Sequence, residues 1–246
     1  MRRRCGLSAV VTLLILVASP HLGAGDCGDV DKSGSVTASD ALKVLKFSVG
    51  QQVTLTCDDA NPLVTGQTTC WTADGTPISC QSTPREDGAL QIGVDLHYVS
   101  NGDGTIADTS TNLVWEKLGH AGGVHDVAQA LTWVQSFEKI AGLNSDNFAG
   151  HNDWRLPNVR ELESIVDYSA DAASSGSTVK SIFNHDCAPS CTLSQCSCTE
   201  GLQYWSSTTL ASIPADAFAV SFSVGGAFAS PKVSTFSVRA VRNAGS

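Results

Sequence analysis

The cysteines constrain the fold of this chain more than any other feature of its sequence. The 246 residues include nine cysteines, and all except Cys5 fall into two groups of four. The groups are Cys27, Cys57, Cys70 and Cys80, and then Cys187, Cys191, Cys196 and Cys198. Because each group has an even number, every member can pair, and we expect covalent cross-links to close both regions.

Residues 1–25 have the pattern of a secretory signal peptide. Arg2 to Arg4 precede an apolar run of about ten residues, and the small residues Gly23 to Gly25 follow it. That run is too short to span a bilayer, which needs about twenty apolar residues. We therefore expect a secreted protein without a membrane span, extracellular or at the cell surface, or else in the periplasm. Disulfides persist in all of these places.

The charge balance narrows the expected partners. The predicted signal carries three of the 15 basic residues and none of the 24 acidic ones, which leaves 12 basic against 24 acidic residues. A mature chain with a net charge of about −12 repels polyanions. Nucleic acids and anionic membranes are not expected partners.

The cysteine spacing also predicts pairings. In the first group we predict Cys27 with Cys57, and Cys70 with Cys80 across a turn at Asp74-Gly75. The second group has the spacing C-x3-C-x4-C-x-C, which predicts two disulfides in an oxidising compartment. Four zinc-bound thiolates are the alternative, although the usual zinc signature has two C-x2-C pairs. The connectivity stays open, except that one intervening residue strains a Cys196–Cys198 bond.

The twelve residues from Asp29 to Asp40 have the ligand spacing of a calcium loop. Oxygen donors stand at positions 1, 3, 5, 7, 9 and 12, and Gly34 stands at position 6, where such a loop turns sharply. The predicted Ca²⁺ ligands are Asp29, Asp31, Ser33, Ser35 through its backbone carbonyl, Thr37 through a water, and Asp40. The alternative is an Asp- and Ser-rich turn that only caps the next helix.

An amphipathic helix is predicted directly after this loop, from the spacing of its apolar residues. We therefore predict a small EF-type loop and helix module at residues 26–57. Residues 58–93 are rich in Thr, Asp, Gly, Pro and Gln, and we expect a disulfide-pinned connector there. The main domain is predicted at 94–246.

The main domain alternates short strands with two helices. Strands are predicted at 94–99, 105–107, 113–117, 203–208, 217–224, 227–230 and 236–242. A turn is predicted at 101–104, and a cation site there is disfavoured because Ile106 would occupy the position of the turn glycine. One helix has apolar positions from Val127 to Ile140 behind an Asp126 cap, and another begins with a capping box at Asn158 and Glu161. These elements predict an α+β fold with short antiparallel strands.

Three ordered motifs in the main domain match a known pattern. They are YVSNGDGTIADTSTNLVWEK at 98–117, GHNDWRLPNVREL at 150–162, and YWSSTT at 204–209 with VRAVR at 238–242. Together they resemble the Lcl C-terminal domain family, named for a collagen-like bacterial adhesin, over about 96–242. The Trp-Arg-Leu-Pro element also resembles C-type-lectin-like domains. The resemblance implies an exported lectin-like domain linked to adhesion and glycan binding, with no established catalytic residues.

The amino-terminal module resembles one repeat of a type I dockerin at about 27–57. Dockerins carry two such repeats, and no second copy occurs between Cys57 and Gly93. Cohesin is therefore not expected as a partner.

The tryptophans and the arginine of these motifs are more typical of structural roles than of sugar binding. Trp115, Trp154 and Trp205 could stack on pyranose rings, but core placement is favoured because tryptophan buries a large apolar area. Arg155 is expected to hold a turn through carboxylate or carbonyl bonds.

The remaining polar residues do not form a catalytic signature. Glu163 and Asp167 are expected on one solvated helix face, and the four histidines after residue 100 lack metal-ligand spacing. We expect a calcium-binding protein that is not an enzyme and that binds an extracellular glycan or protein. The alternative is a component of extracellular polysaccharide degradation, either a dockerin-linked accessory protein or a glycoside hydrolase.

Overall fold

The computed structural model describes residues 63–83 and 85–245. They belong to a compact unit that comprises Asn61–Ser246. The predicted signal peptide, the calcium loop with its helix, and the Cys27–Cys57 pair lie outside the described residues.

The described residues form three antiparallel sheets. A two-stranded sheet pairs β1 (Cys70–Trp71) with β2 (Pro77–Ile78). A four-stranded sheet has the order β3-β4-β5-β9, with β3 at Tyr98–Ser100, β4 at Thr105–Asp108, β5 at Leu113–Glu116 and β9 at Val241–Asn243. A three-stranded sheet has the order β6-β7-β8, with β6 at Gln203–Thr209, β7 at Asp216–Ser221 and β8 at Gly226–Pro231.

The helices of the described residues are short, and the longest of them has 13 residues. They are α1 at Asp87–Leu90, α2 at Trp133–Ser145, α3 at Val159–Ser164 and α4 at Ala172–Ser175, with 3-10 turns at Cys80–Ser82, Phe148–Gly150 and Ser181–Phe183. Across residues 63–83 and 85–245, no helix has both the length and the apolar character needed to cross a membrane. The predicted α+β class is confirmed.

The start of α3 confirms the predicted capping box. The Asn158 side chain accepts a bond from the Glu161 amide at 3.0 Å, and the Glu161 carboxylate accepts one from the Asn158 amide at 2.8 Å. Both amides belong to the helix start, where no backbone carbonyl is available to them. Leu162 and Ile165 then enter the core with no exposed surface.

The predicted start of α2 is wrong. The helix begins after Thr132, whose side chain accepts the Gln135 amide in a capping box, while Asp126 accepts amides in the preceding turn. The predicted apolar face is also only partly correct. Val134 and Phe137 are 61% and 39% exposed. The buried positions of α2 are Ser136, Lys139, Ile140 and Leu143.

The last predicted strand, 236–242, does not form one continuous ladder. Phe236 pairs with Leu131, Ser237 pairs with Tyr204, and β9 begins only at Val241. This segment changes partners residue by residue as it passes from the three-stranded to the four-stranded sheet. It thereby joins the two sheets, first through a single bridge to Tyr204 of β6 and then through the ladder of β9 with β5.

Two apolar clusters form the core of the unit. The first surrounds Trp115, Phe183 and Tyr204, and the second surrounds Trp154 and Trp205. All five side chains are at most 2% exposed. Burial of aromatic side chains contributes about 1.5 to 3 kcal/mol each, so these residues dominate the apolar stabilisation.

Candidate functional sites

The three motif tryptophans are core residues, as the sequence predicts. Trp115 and Trp205 have no exposed surface and Trp154 is 2% exposed. The indole of Trp205 donates to the Leu131 carbonyl at 2.9 Å, and that of Trp154 donates to the Phe148 carbonyl at 3.0 Å. Their rings are therefore covered by protein and do not offer a face to a sugar.

Arg155 also has the structural role expected from the sequence. Its guanidinium donates two bonds of 2.7 Å to the two carboxylate oxygens of Glu161, the same side chain that caps α3. Burial raises the pKa of Glu161, but the Arg155 bond, the Asn158 amide and the Arg155 charge outweigh it, and the pKa is lowered. The arginine of the Trp-Arg-Leu-Pro motif thus forms an ion pair with the residue that caps the next helix.

The prediction that Glu163 and Asp167 share a helix face is wrong. The helix α3 ends at Ser164, so Asp167 lies beyond it and pairs with Lys180 at 3.5 Å. Glu163 instead lines a groove of about 240 Å³ together with Arg160 and Tyr168. That volume is below the range of about 300 to 1,000 Å³ typical of small-molecule pockets.

Three of the five histidines in the described residues lie beside separate carboxylates. His120 lies 3.5 Å from Glu200, and His185 lies 3.2 Å from Asp186. His125 is 2.7 Å from the buried Glu116. The three imidazoles are thus half-buried at separate positions, consistent with their irregular spacing in the sequence.

The turn at 101–104 uses its polar side chains internally. The Asp103 carboxylate accepts the Thr105 amide at 3.0 Å and the Thr105 hydroxyl at 2.6 Å, and the Asn101 amide group donates to the same hydroxyl at 2.9 Å. The chain reverses direction here between the antiparallel strands β3 and β4, as predicted for a turn.

A buried ionic cluster around Glu116 is the principal polar site that the sequence did not reveal. Glu116 closes β5 and has no exposed surface. One carboxylate oxygen lies 3.1 Å from the Lys139 ammonium and 2.7 Å from His125 Nδ1. The other oxygen accepts the Ala240 amide at 2.8 Å. The ammonium of Lys139 also donates to the Val238 carbonyl at 3.0 Å.

The electrostatics of this cluster favour an ion pair. Burial alone raises the pKa of Glu116, but the Lys139 charge, the His125 bond and charge, and the Ala240 amide outweigh it and lower that pKa. Burial lowers the pKa of Lys139, against the opposing charge of Glu116. Two charged groups can remain inside a core only when each is paired and hydrogen-bonded, as here.

Arg239 extends the cluster toward the second cysteine group. Its guanidinium is fully buried and donates to the backbone carbonyls of Glu116 and Cys198, both at 2.7 Å, and to the Thr199 hydroxyl at 2.6 Å. Arg239 therefore ties β5 to the cysteine loop. The only sequence signal for Arg239 was its place in the VRAVR motif, three residues before Arg242. Because arginine is seldom fully buried, the motif did not lead us to predict a core position.

Three disulfides occur in the described residues. Cys70 pairs with Cys80, as predicted. In the second group Cys187 pairs with Cys198 and Cys191 with Cys196, which confirms two disulfides and the absence of a Cys196–Cys198 bond. The first pair holds β1 and β2 against the adjoining 3-10 turn.

The predicted calcium ligands Asp29, Asp31, Ser33, Ser35, Thr37 and Asp40 lie outside the described residues, and calcium binding stays a prediction. We searched residues 63–83 and 85–245 for His, Cys, Asp and Glu side chains that lie close enough together to hold a metal ion. In that part of the chain, one such group occurs, and it consists of Cys187, Cys191 and Cys198.

An exposed apolar patch at the start of α2 is the strongest candidate for ligand contact. We name it the Trp133 surface and define it by Trp133, Val134, Phe137, Lys232 and Val233. The rings of Trp133 and Phe137 meet edge to face at 4.6 Å, and the Lys232 ammonium lies 4.1 Å from the centre of the Trp133 ring. Val134 and Val233 are 61% and 81% exposed.

The backbone holds this surface in place from two sides. The Trp133 amide donates to the Lys232 carbonyl at 3.1 Å, and the Trp133 indole donates to the Ser206 carbonyl at 2.9 Å. Lys232 itself donates to the Pro214 carbonyl at 3.0 Å. The patch is therefore fixed to the three-stranded sheet before any ligand arrives, and preorganisation of this kind lowers the entropic cost of binding.

Comparison with known proteins supports the family suggested by the motifs. The sequence model of the Lcl C-terminal domain matches residues 104–242, more than half of the 246-residue chain. No curated protein matches the chain. The matched range includes the three-stranded sheet, most of the four-stranded sheet, the Glu116 cluster, the second cysteine group and the Trp133 surface. The chain belongs to the Lcl C-terminal domain family.

Proposed function

We propose that this chain is an exported, calcium-binding adhesion protein, not an enzyme, whose Lcl domain binds an extracellular ligand through the Trp133 surface. The observation that carries the proposal is the exposure of Val134, Phe137 and Val233 beside a fixed Trp133. A contiguous apolar patch on the surface of a soluble protein often marks a site of interaction with a partner. Membership of the Lcl family favours a binding role, and a C-type-lectin-like arrangement of the α+β domain is part of this proposal.

The chemistry of the surface indicates the kind of ligand. Aliphatic side chains beside an aromatic pair suit the apolar side chains of a protein better than the hydroxyl groups of a sugar. The acidic balance of the chain also disfavours anionic glycans. We therefore favour an extracellular protein over a neutral glycan as the ligand.

The matched variants Val233→Asp and Val224→Asp test this surface. Both valines are highly exposed, at 81% and 74%, and they occupy the turns at opposite ends of β8. Val233→Asp is expected to weaken binding by about tenfold or more, because a charge would be buried without a partner. Val224→Asp is expected to leave binding unchanged. Binding is measured on arrays of purified extracellular-matrix proteins and of neutral glycans, with and without calcium.

An equal loss in both variants, or in neither, would contradict a site at the Trp133 surface. The competing function, polysaccharide degradation, is tested by a hydrolysis screen with the same preparation. Turnover that disappears in Glu163→Gln or Asp167→Asn would refute the binding proposal in favour of a glycosidase, since those carboxylates would then supply acid and base.

Calcium removal is expected to affect only the amino-terminal module. A chelator should abolish its calcium-dependent melting transition and leave the larger unit folded. All five tryptophans lie after Asn61, so tryptophan fluorescence reports the larger unit alone. Asp31→Asn is expected to weaken calcium binding by about tenfold or more in titration calorimetry, because it removes a charged ligand. Asp58→Asn, outside the loop, serves as its control. A chelator that melts both units together would show that the metal is not local.

A further inference from the structure

The two disulfides of the second cysteine group lie against each other. The Sγ atom of Cys198 is 3.5 Å from that of Cys191 and 3.8 Å from that of Cys196, although it is bonded to neither. The sulfurs of Cys187, Cys191 and Cys198 all lie within 4.8 Å of one another. Four sulfurs thus occupy one small volume inside the segment 187–198.

This spacing is that of a metal tetrahedron. Four thiolates at about 2.3 Å from a zinc ion lie about 3.8 Å from one another along each edge. Cys198 already has nearly that separation from both sulfurs of the other disulfide. To complete the set of edges, the two bonded pairs must open and Cys187 must approach Cys196, which lies outside the group of sulfurs within 4.8 Å of one another. We propose that these four cysteines, when reduced, form a tetrathiolate site for zinc.

The same geometry argues against exchange between the two disulfides. A thiolate attacks a disulfide along the axis of the sulfur–sulfur bond. Cys198 instead lies beside the Cys191–Cys196 bond, at similar distances from both of its atoms. A position equidistant from two sulfurs suits a shared metal ion better than an attack on one of them.

The loop is held in place by bonds that do not depend on the disulfides. The Cys198 amide donates to the Leu118 carbonyl at 2.7 Å, and the His120 amide donates to the Cys191 carbonyl at 2.9 Å. His185 and Ser197 exchange two backbone bonds of 2.9 and 3.1 Å. Reduction would therefore leave the cysteines on a scaffold that keeps them together.

The surroundings fit a closed structural zinc site. Cys196 and Cys198 have no exposed surface and Cys191 is 8% exposed, while Cys187 faces solvent. A zinc ion with four thiolates carries a formal charge of −2, and the buried Arg239 cation bonded to the Cys198 carbonyl partly offsets it. The exposed Cys187 supplies the entry side for reductant and metal.

The chemical balance is simple. Each disulfide takes two electrons and two protons from two small-molecule thiols, which become one disulfide, and two cysteine thiols result. Zinc binding then releases the four thiol protons to solvent. Reoxidation by a disulfide reverses both steps and expels the metal. The site would thus hold zinc in a reducing compartment and disulfides after export.

Cysteine footprinting on the full mature chain tests the proposal. The protein is reduced without oxygen, given one equivalent of Zn²⁺, alkylated with iodoacetamide and mapped by mass spectrometry. We expect zinc to protect Cys187, Cys191, Cys196 and Cys198, and to leave the four cysteines of the first group fully alkylated. Co²⁺ in place of zinc should produce the visible bands of a tetrahedral thiolate site. Equal alkylation with and without zinc, or protection of the first group instead, would overturn the proposal.

A pair of double variants supplies the control. Cys70→Ser with Cys80→Ser removes the other described disulfide and should retain the cobalt bands and the footprint. Cys187→Ser with Cys198→Ser should lose both. Because metal binding couples to folding, a folding defect in the second double variant would make its loss of bands equivocal, and the footprint of the unaltered chain then decides. Bands that persist in that variant would place the cobalt elsewhere and refute the site.

Discussion

Replacing Glu116 by glutamine is expected to lower the free energy of unfolding by about 3 to 5 kcal/mol, the usual effect of removing one partner of a buried ion pair. The Lys139 ammonium would then remain 3% exposed without its carboxylate. The loss is large relative to a total stability of about 5 to 15 kcal/mol. Urea unfolding followed by tryptophan fluorescence measures it in the unit Asn61–Ser246.

Two further variants separate the ion pair from ordinary packing. Glu138→Gln changes an exposed carboxylate beside Lys139 on α2 and should shift stability by less than about 0.5 kcal/mol. Glu116→Gln combined with Lys139→Met removes both charges and should recover part of the loss. If the double variant is as unstable as the sum of its two single changes, the two side chains do not act as a pair.

The acid dependence of stability supplies an independent check. The pKa of Glu116 is lowered from its ordinary value of 4.5. Its ionised form therefore contributes stability that is complete above about pH 4.5 and is lost as the pH falls through the folded-state pKa. Glu116→Gln should lack this part of the acid dependence. An unchanged dependence in the variant would mean that other carboxylates govern acid unfolding.

Replacing Trp205 by alanine is the second change with a large expected effect, a loss of about 3 to 5 kcal/mol. The indole has no exposed surface and its ring centre lies 4.5 Å from that of Phe236. Truncation would leave a large cavity and would remove one of two bonds to the Leu131 carbonyl, which accepts the indole N–H as well as the Phe236 amide. Urea unfolding followed by circular dichroism measures the change, since the substitution removes one fluorophore.

Trp71→Ala is the matched control. Trp71 is 41% exposed on the two-residue strand β1, and its truncation should cost about 0.5 kcal/mol or less. Stability that is unchanged in Trp205→Ala, together with a loss of ligand binding, would mean that the Trp205 ring contacts ligand. It would then overturn the core assignment of the YWSSTT motif.

The elements that the sequence predicted well depend on local interactions. The capping box of Asn158 and Glu161 forms within one helical turn, so its residues meet wherever that turn is placed. The Cys70–Cys80 pair spans ten residues across a turn. The strands near 105–107 and 113–117 flank a short turn, and they form β4 and β5 as a hairpin.

The elements that were mispredicted depend on distant partners. Lys139 lies on the side of α2 that packs against the core, because its partner Glu116 ends β5 beside it. Glu116 stands 23 positions earlier in the chain. That inward turn leaves Val134 and Phe137 on the exposed side, where hydrophobic periodicity placed the core. The last segment similarly forms single bridges to Leu131 and Tyr204 instead of one strand.

The sequence by itself determined the family through its three motifs. It also determined the α+β class, the motif tryptophans as core residues and the number of disulfides in the second cysteine group, because these follow from composition and short-range spacing. Only the tertiary structure decided which cysteines pair in the segment 187–198, which charges are buried, and where apolar side chains remain exposed. Those features depend on contacts between residues far apart in the chain. The Glu116 cluster and the Trp133 surface both depend on the orientation of α2 about its axis. This orientation buries Lys139 and leaves Phe137 exposed.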